Sequence, residues 1–100
     1  MKEMNFEQTM EKVTECKEKV YDWNPFRHCQ ASFSDIVTIE DRETKERGRY
    51  QLFKSYRTIV ALVDLDNLVV YRLDKWSQTT SKQTTQFCNQ YYRGYKQIQF

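Results

Sequence analysis

A chain of 100 residues, 39% hydrophobic and 30% charged, has room for one domain around one core and enough apolar content to fold it, which excludes a second module and a wholly disordered chain. The longest uncharged apolar run, Thr58 to Val63, is far too short to cross a bilayer, and charges interrupt every apolar stretch from Met1 to Val20; no membrane span or signal peptide is expected, and a cytosolic location is the default expectation. The net charge of +2 hides an asymmetry, with nine basic and eleven acidic side chains in residues 1–50 but seven and three in residues 51–100, which steers encounters with a charged partner without choosing between nucleic acid and protein.

Residues 5–21 read as a helix. Asn5 is placed to cap it and Gln8 to reach back from the third helical position, a reciprocal arrangement that satisfies two orphan amides. Phe6, Met10, Val13, Lys17 and Val20 recur at three- and four-residue steps and are expected to face the sheet, with Lys17 laying its stem along the stripe. Glu3, Glu7, Glu11, Glu15, Glu18 and Asp22 form an acidic ladder on the other face, relieved only in part by Lys12 and Lys19. Like charges at that spacing repel, so the ladder is either a solvated face or a surface kept for a basic partner.

Asp22 to Ser32 reads as a connection, because Pro25 lacks an amide hydrogen and disfavours helix at Asn24; Trp23 and Phe26 should fold back over the helix end. His28 and Cys29 are adjacent, but a metal site needs two further ligands and no other histidine occurs. Phe33 to Glu40 predicts a first strand carried by Ile36, Val37 and Ile39. The charged turn from Asp41 to Arg49 follows, and its Glu43, Glu46 and Arg47 are candidate contacts because exposed loops often carry recognition.

Gly48 leads into a strand at Tyr50 to Phe53. The next run, Tyr56 to Val63, is nearly continuously apolar past Arg57, as expected of a central strand covered on both faces. Asp64-Leu-Asp-Asn67 is a turn, and Leu68 to Leu73 returns antiparallel. Asp74 to Ser77 leaves the sheet, with Trp76 packed at its edge. A second helix is predicted from Ser81 to about Arg93, with Thr80 and Gln83 at capping-box spacing, Phe87, Tyr91 and Tyr95 in one line, and Gly94 as a left-handed cap. Gln97 to Phe100 alternates as a short edge strand. The expected fold is α+β: one domain with a helical arm over 1–24, an antiparallel sheet of three to four strands over 33–73, and a C-terminal helix over 80–94.

The sequence carries no glycine-rich phosphate loop, paired-carboxylate signal or metal-ligand cluster, so no catalytic residue, cofactor or metal is assigned. Cys16, Cys29 and Cys88 are odd in number and widely spaced, neither a disulfide framework nor a zinc pattern, which points to three buried or partly buried thiols, with one disulfide as the alternative in an oxidising compartment. Ser77, Thr79, Thr80, Ser81, Thr84 and Thr85 surround a helix start, a setting that either binds an anion or ties the helix to the sheet. Arg72, Lys75, Lys82, Arg93 and Lys96 lie among Trp76, Tyr91, Tyr92 and Tyr95, a mixture suited to neutralising phosphates and stacking bases, although the acidic helix would repel a polyanion on its own face. An exposed sheet edge would also let two copies pair as a homodimer.

Ser55-Tyr56-Arg57-Thr58-Ile59-Val60-Ala61 and Trp76-Ser77-Gln78-Thr79-Thr80-Ser81-Lys82, closed by Phe87, resemble two motifs of a family of small proteins encoded by phages and plasmids of Gram-positive bacteria. The family's second motif usually has tyrosine at the position of Trp76 and often histidine at that of Gln83, which removes any proton-transfer role for that histidine. The resemblance covers about a third of the chain. It implies a mobile-element protein, and proteins of this size from such elements include anti-CRISPR proteins that occlude Cas9. On that expectation the chain is a non-enzymatic inhibitor of host defence. Met1 to Arg49 would be its specific arm, and Glu7, Glu11, Glu15, Glu18, Glu43, Glu46, Arg47, Lys75, Lys82 and Arg93 its candidate partner contacts. The alternative is a small nucleic-acid-binding or regulatory module of the same kind of element.

Overall fold

The computed structural model describes residues 3–26, 30–73 and 78–100. Helix α1 (Phe6–Lys19) starts as predicted: the Asn5 side chain accepts from the Gln8 amide at 2.8 Å, and Gln8 Oε1 accepts from the Asn5 amide at 3.0 Å. The face it buries is rotated from the expected one. Thr9, Val13 and Cys16 are buried and Val20 half-buried, whereas Phe6, Met10 and Lys17 are exposed. Thr9 enters the core because its hydroxyl donates to the Asn5 carbonyl at 2.7 Å and so carries no unmet polar group inward.

Seven strands form one mixed sheet, not the three or four antiparallel strands expected. They are β1 (Trp23–Phe26), β2 (Ala31–Ser34), β3 (Val37–Glu40), β4 (Arg47–Ser55), β5 (Thr58–Asp64), β6 (Val69–Arg72) and β7 (Lys96–Gln99), with α2 (Gln78–Tyr91) between the last two. The spatial order is β1-β2-β4-β5-β6-β7, and β3 shares the edge of β4 with β2. Every pairing is antiparallel except β6 with β7, which are parallel and joined by the α2 crossover.

Three differences account for the extra strands. The segment read as a connection contains β1, where Pro25 is tolerated because an edge strand leaves one side unpaired. The single strand expected from Phe33 to Glu40 is two: Phe33 faces Phe53 but Val37 faces Tyr50, so the register slips by one residue at Asp35 and Ile36. Side chains satisfy that break, since Ser34 Oγ accepts from the Leu52 amide at 2.9 Å and Gln51 Nε2 donates to the Ser34 carbonyl at 2.7 Å. Lastly, β4 extends through Gly48 to Ser55, and Tyr56 and Arg57 form the turn into β5 instead of beginning it. Tyr56 has φ of 57°, the left-handed region a bulky side chain seldom adopts.

The β5–β6 hairpin and the C-terminal edge strand lie as predicted, and Gly94 takes φ of 90° on the way into β7. Alternation sends Leu52, Leu62, Val69 and Tyr71 to one face, beneath Val13 and Cys16 of α1. Phe53, Ala61, Val63 and Val70 go to the other, beneath Phe87 and Cys88 of α2. One helix therefore covers each face, the reason β5 reads as an almost unbroken apolar run. Among the described residues no helix is long and apolar enough to cross a membrane. The expectations for His28, Cys29, Lys75, Trp76 and Ser77 lie outside the described residues.

Candidate partner-binding surface

At 3.6 residues per turn, Glu7, Glu11, Glu15 and Glu18 share the side of α1 opposite Thr9, Val13 and Cys16, and all four are exposed. Among the described residues the sole ion pair on this ridge joins Glu15 to Lys12 at 3.6 Å. Glu3, just before the helix, is paired with Lys96 of β7. The ridge is thus an anionic strip, relieved at Glu15 by Lys12 and held at a fixed angle by the buried stripe behind it.

The other candidates are placed elsewhere. Glu43, Glu46 and Arg47 are exposed at the β3–β4 turn, where Asp41 Oδ1 accepts from the Glu43 and Thr44 amides at 2.8 and 3.1 Å. Those amides hold the Asp41 carboxyl below its ordinary range, and Lys45 closes the turn with φ of 64°. The loop is therefore a built turn hung from β3, on which α1 packs. Lys82 and Arg93 are exposed on and just after α2, which covers the opposite face of the sheet, so the structure does not bring them to the acidic ridge.

Of the residues in the nucleic-acid expectation that are described, Arg72 and the tyrosines are engaged within the fold. Arg72 donates to the Ser81 carbonyl, Thr85 Oγ1 and Gln97 Oε1 at 3.0, 3.1 and 2.9 Å, fastening α2 and β7 to β6. Tyr92 is buried with its hydroxyl donating to Gln51 Oε1, and burial pushes that phenol up to about 12. Tyr95 packs on Tyr92, and Tyr91, though half-exposed, packs against Phe33 and Phe87.

The two motif segments converge. Ser55, Tyr56, Thr58 and Val60 from the first and Thr80 from the second line a cavity of about 310 Å³. Two of its hydroxyls lie against each other and one is engaged by α2: Ser55 Oγ donates to Gln83 Oε1 at 2.9 Å and lies 3.3 Å from Thr80 Oγ1, while one turn on, outside the lining, Thr84 Oγ1 donates to the Thr80 carbonyl at 2.9 Å. Thr80 and Gln83 are consequently not a capping box. They sit inside α2, which begins at Gln78, and tie its first turns to the β4–β5 hairpin. Among the described residues no buried side-chain nitrogen or oxygen lacks a partner, and no three metal-ligating side chains cluster.

Cys16 and Cys88 are buried, and burial pushes the Cys16 thiol up to about 12, far from the thiolate a nucleophile needs. Sequence reasoning missed the outward placement of Phe6 and Met10. The available signal was a competing periodicity, since Thr9, Val13, Cys16 and Val20 recur at the same steps.

Residues 4–99 match the model of a family of unknown function, DUF8033. No curated protein and no solved structure matches the chain.

Proposed function

We propose that this chain, which belongs to the DUF8033 family, acts by occupying the surface of a protein or nucleoprotein effector rather than by transforming a substrate. The observation that carries this reading is the ridge of Glu7, Glu11, Glu15 and Glu18: four exposed carboxylates on one rigid helix face, with Lys12 as the sole ion-pair partner among the described residues. Such a strip mimics no reactive centre, but it complements a cationic surface, steers the encounter and blocks whatever else would bind there. Occlusion needs no catalytic group. In its specific form, drawn from the motif resemblance, the effector is Cas9 with its guide RNA, and the chain inhibits host defence on behalf of a phage or plasmid.

The test is a binding titration against the Cas9–guide complex with a target-cleavage assay in parallel. The reading expects saturable binding and loss of cleavage. It also expects the combined Glu7→Lys, Glu11→Lys, Glu15→Lys and Glu18→Lys variant, its fold checked by circular dichroism, to lose both. Unchanged affinity in that variant would make the ridge a solvated face. A gel shift with DNA or guide RNA alone as tight as that with the complex would assign the chain to nucleic acid instead.

A further inference from the structure

Beside the carboxylates, α1 carries a second exposed row. Phe6 is 53% and Met10 38% exposed, one helical turn apart, and each directly precedes a glutamate of the ridge, Glu7 or Glu11. The row ends at Lys17, so its apolar part is confined to the first two turns. Two adjacent large apolar side chains left outside a core that buries Thr9 and Cys16 form a patch, whereas a single one would be ordinary surface.

This end of the helix is fastened at several points. The capping box holds its amides, the Met4 amide donates to Tyr71 Oη at 3.0 Å, and Glu3 is paired with Lys96. The Phe6 ring meets the Phe100 ring edge-on at 5.5 Å, and Phe100 stacks on buried Tyr71 at 6.0 Å. The exposed Phe6 therefore stands on a column of aromatic rings rooted in the core, and little side-chain or backbone freedom is left to lose on binding.

We propose that Phe6 and Met10 are the anchors of the contact and that the occupant is a protein presenting an apolar slot bordered by lysine or arginine. This deepens, and rests on, the reading of the acidic ridge as the binding face. Apolar anchors at i and i+4 flanked by carboxylates fit a helix laid into a groove. They do not fit a nucleic acid, whose phosphates the glutamates repel. Nor do they fit a second copy, which would set one acidic ridge against another.

The test uses the full chain and the Cas9–guide complex as probe, comparing wild type, Met10→Gln, Phe6→Ala and the fourfold glutamate variant, with melting curves and sedimentation for each. Met10→Gln keeps length and helix propensity at a position outside the core, so it is the variant least exposed to folding effects. Wild-type binding that weakens about tenfold in Met10→Gln, with melting unchanged, supports the proposal. Binding held within about twofold in both anchor variants overturns it while leaving the ridge reading intact. Anchor variants that bind poorly while the fourfold variant binds normally would remove the cationic border. Sedimentation showing a wild-type dimer that Met10→Gln abolishes would give the anchors to a second copy. No wild-type binding to the complex would sink the ridge reading and this proposal with it.

Discussion

Replacing Ser55 by alanine tests whether the paired motifs are a structural tie. Ser55 Oγ is buried, donates to Gln83 Oε1 at 2.9 Å and lies 3.3 Å from Thr80 Oγ1, so its loss orphans the Gln83 acceptor in a part-buried place. Leaving such groups unmet costs about 1–2 kcal/mol. In a domain of this size that lowers Tm by roughly 4–16 °C. Urea titration and thermal melting followed by circular dichroism read the change. A cycle with Gln83→Ala should return a coupling of about 1 kcal/mol, because the second substitution removes the group that the first leaves stranded. If Ser55→Ala melts within about 0.5 kcal/mol of wild type, the hydroxyls do not fasten α2 to the hairpin, and the cavity they line becomes the better candidate site.

Tyr92→Phe removes the donor to buried Gln51 Oε1 and should cost about 1–3 kcal/mol in a urea titration; a neutral result would mean that Gln51 is satisfied otherwise. Phe87→Ala empties the centre of the α2-side core, where the ring stacks on Phe53 at 4.4 Å, and should cost about 3–5 kcal/mol, enough to unfold much of the chain when measured by near-ultraviolet circular dichroism. Stability should be flat from about pH 7 to about pH 9, the ordinary range of a thiol, and fall between there and pH 12. Burial raises Cys16 from 9.0 and Tyr92 from 10.0 to about 12, so the fold favours their neutral forms and the unfolded chain loses those protons first. Equal stability at pH 7 and pH 11 by chemical denaturation would contradict this.

The parts of the fold legible in the sequence are those whose signal is local. The capping box at Asn5 and Gln8 is spelled by two side chains three residues apart, and the β5–β6 hairpin by an apolar run, an Asp-rich turn and a second run. What was not legible depends on partners distant in sequence. Pro25 reads as a breaker until its strand is known to lie at an edge. Tyr56 occupies a left-handed turn position without the glycine, asparagine or aspartate that would announce it. The burial of Thr9 over Phe6 turns on a hydroxyl satisfied within its own helix, which hydrophobic periodicity does not count. The apolar half of the candidate surface is hidden for the same reason: the acidic ridge follows from spacing alone, but hydrophobic periodicity sends Phe6 and Met10 to the core. Thr80 and Gln83 match a capping box by spacing, yet their partner is Ser55, 25 residues away from Thr80.

Hydroxyl-radical footprinting of the chain, free and with the Cas9–guide complex, tests most directly the proposal that α1 is the face by which it occupies its partner. Phe6 and Met10 are exposed and chemically reactive, so both should be labelled in the free chain and strongly protected in the complex, while Tyr56 at the β4–β5 turn and Tyr91 at the end of α2 stay labelled. Protection at Tyr56 and Tyr91 with Phe6 and Met10 left open would contradict the claim.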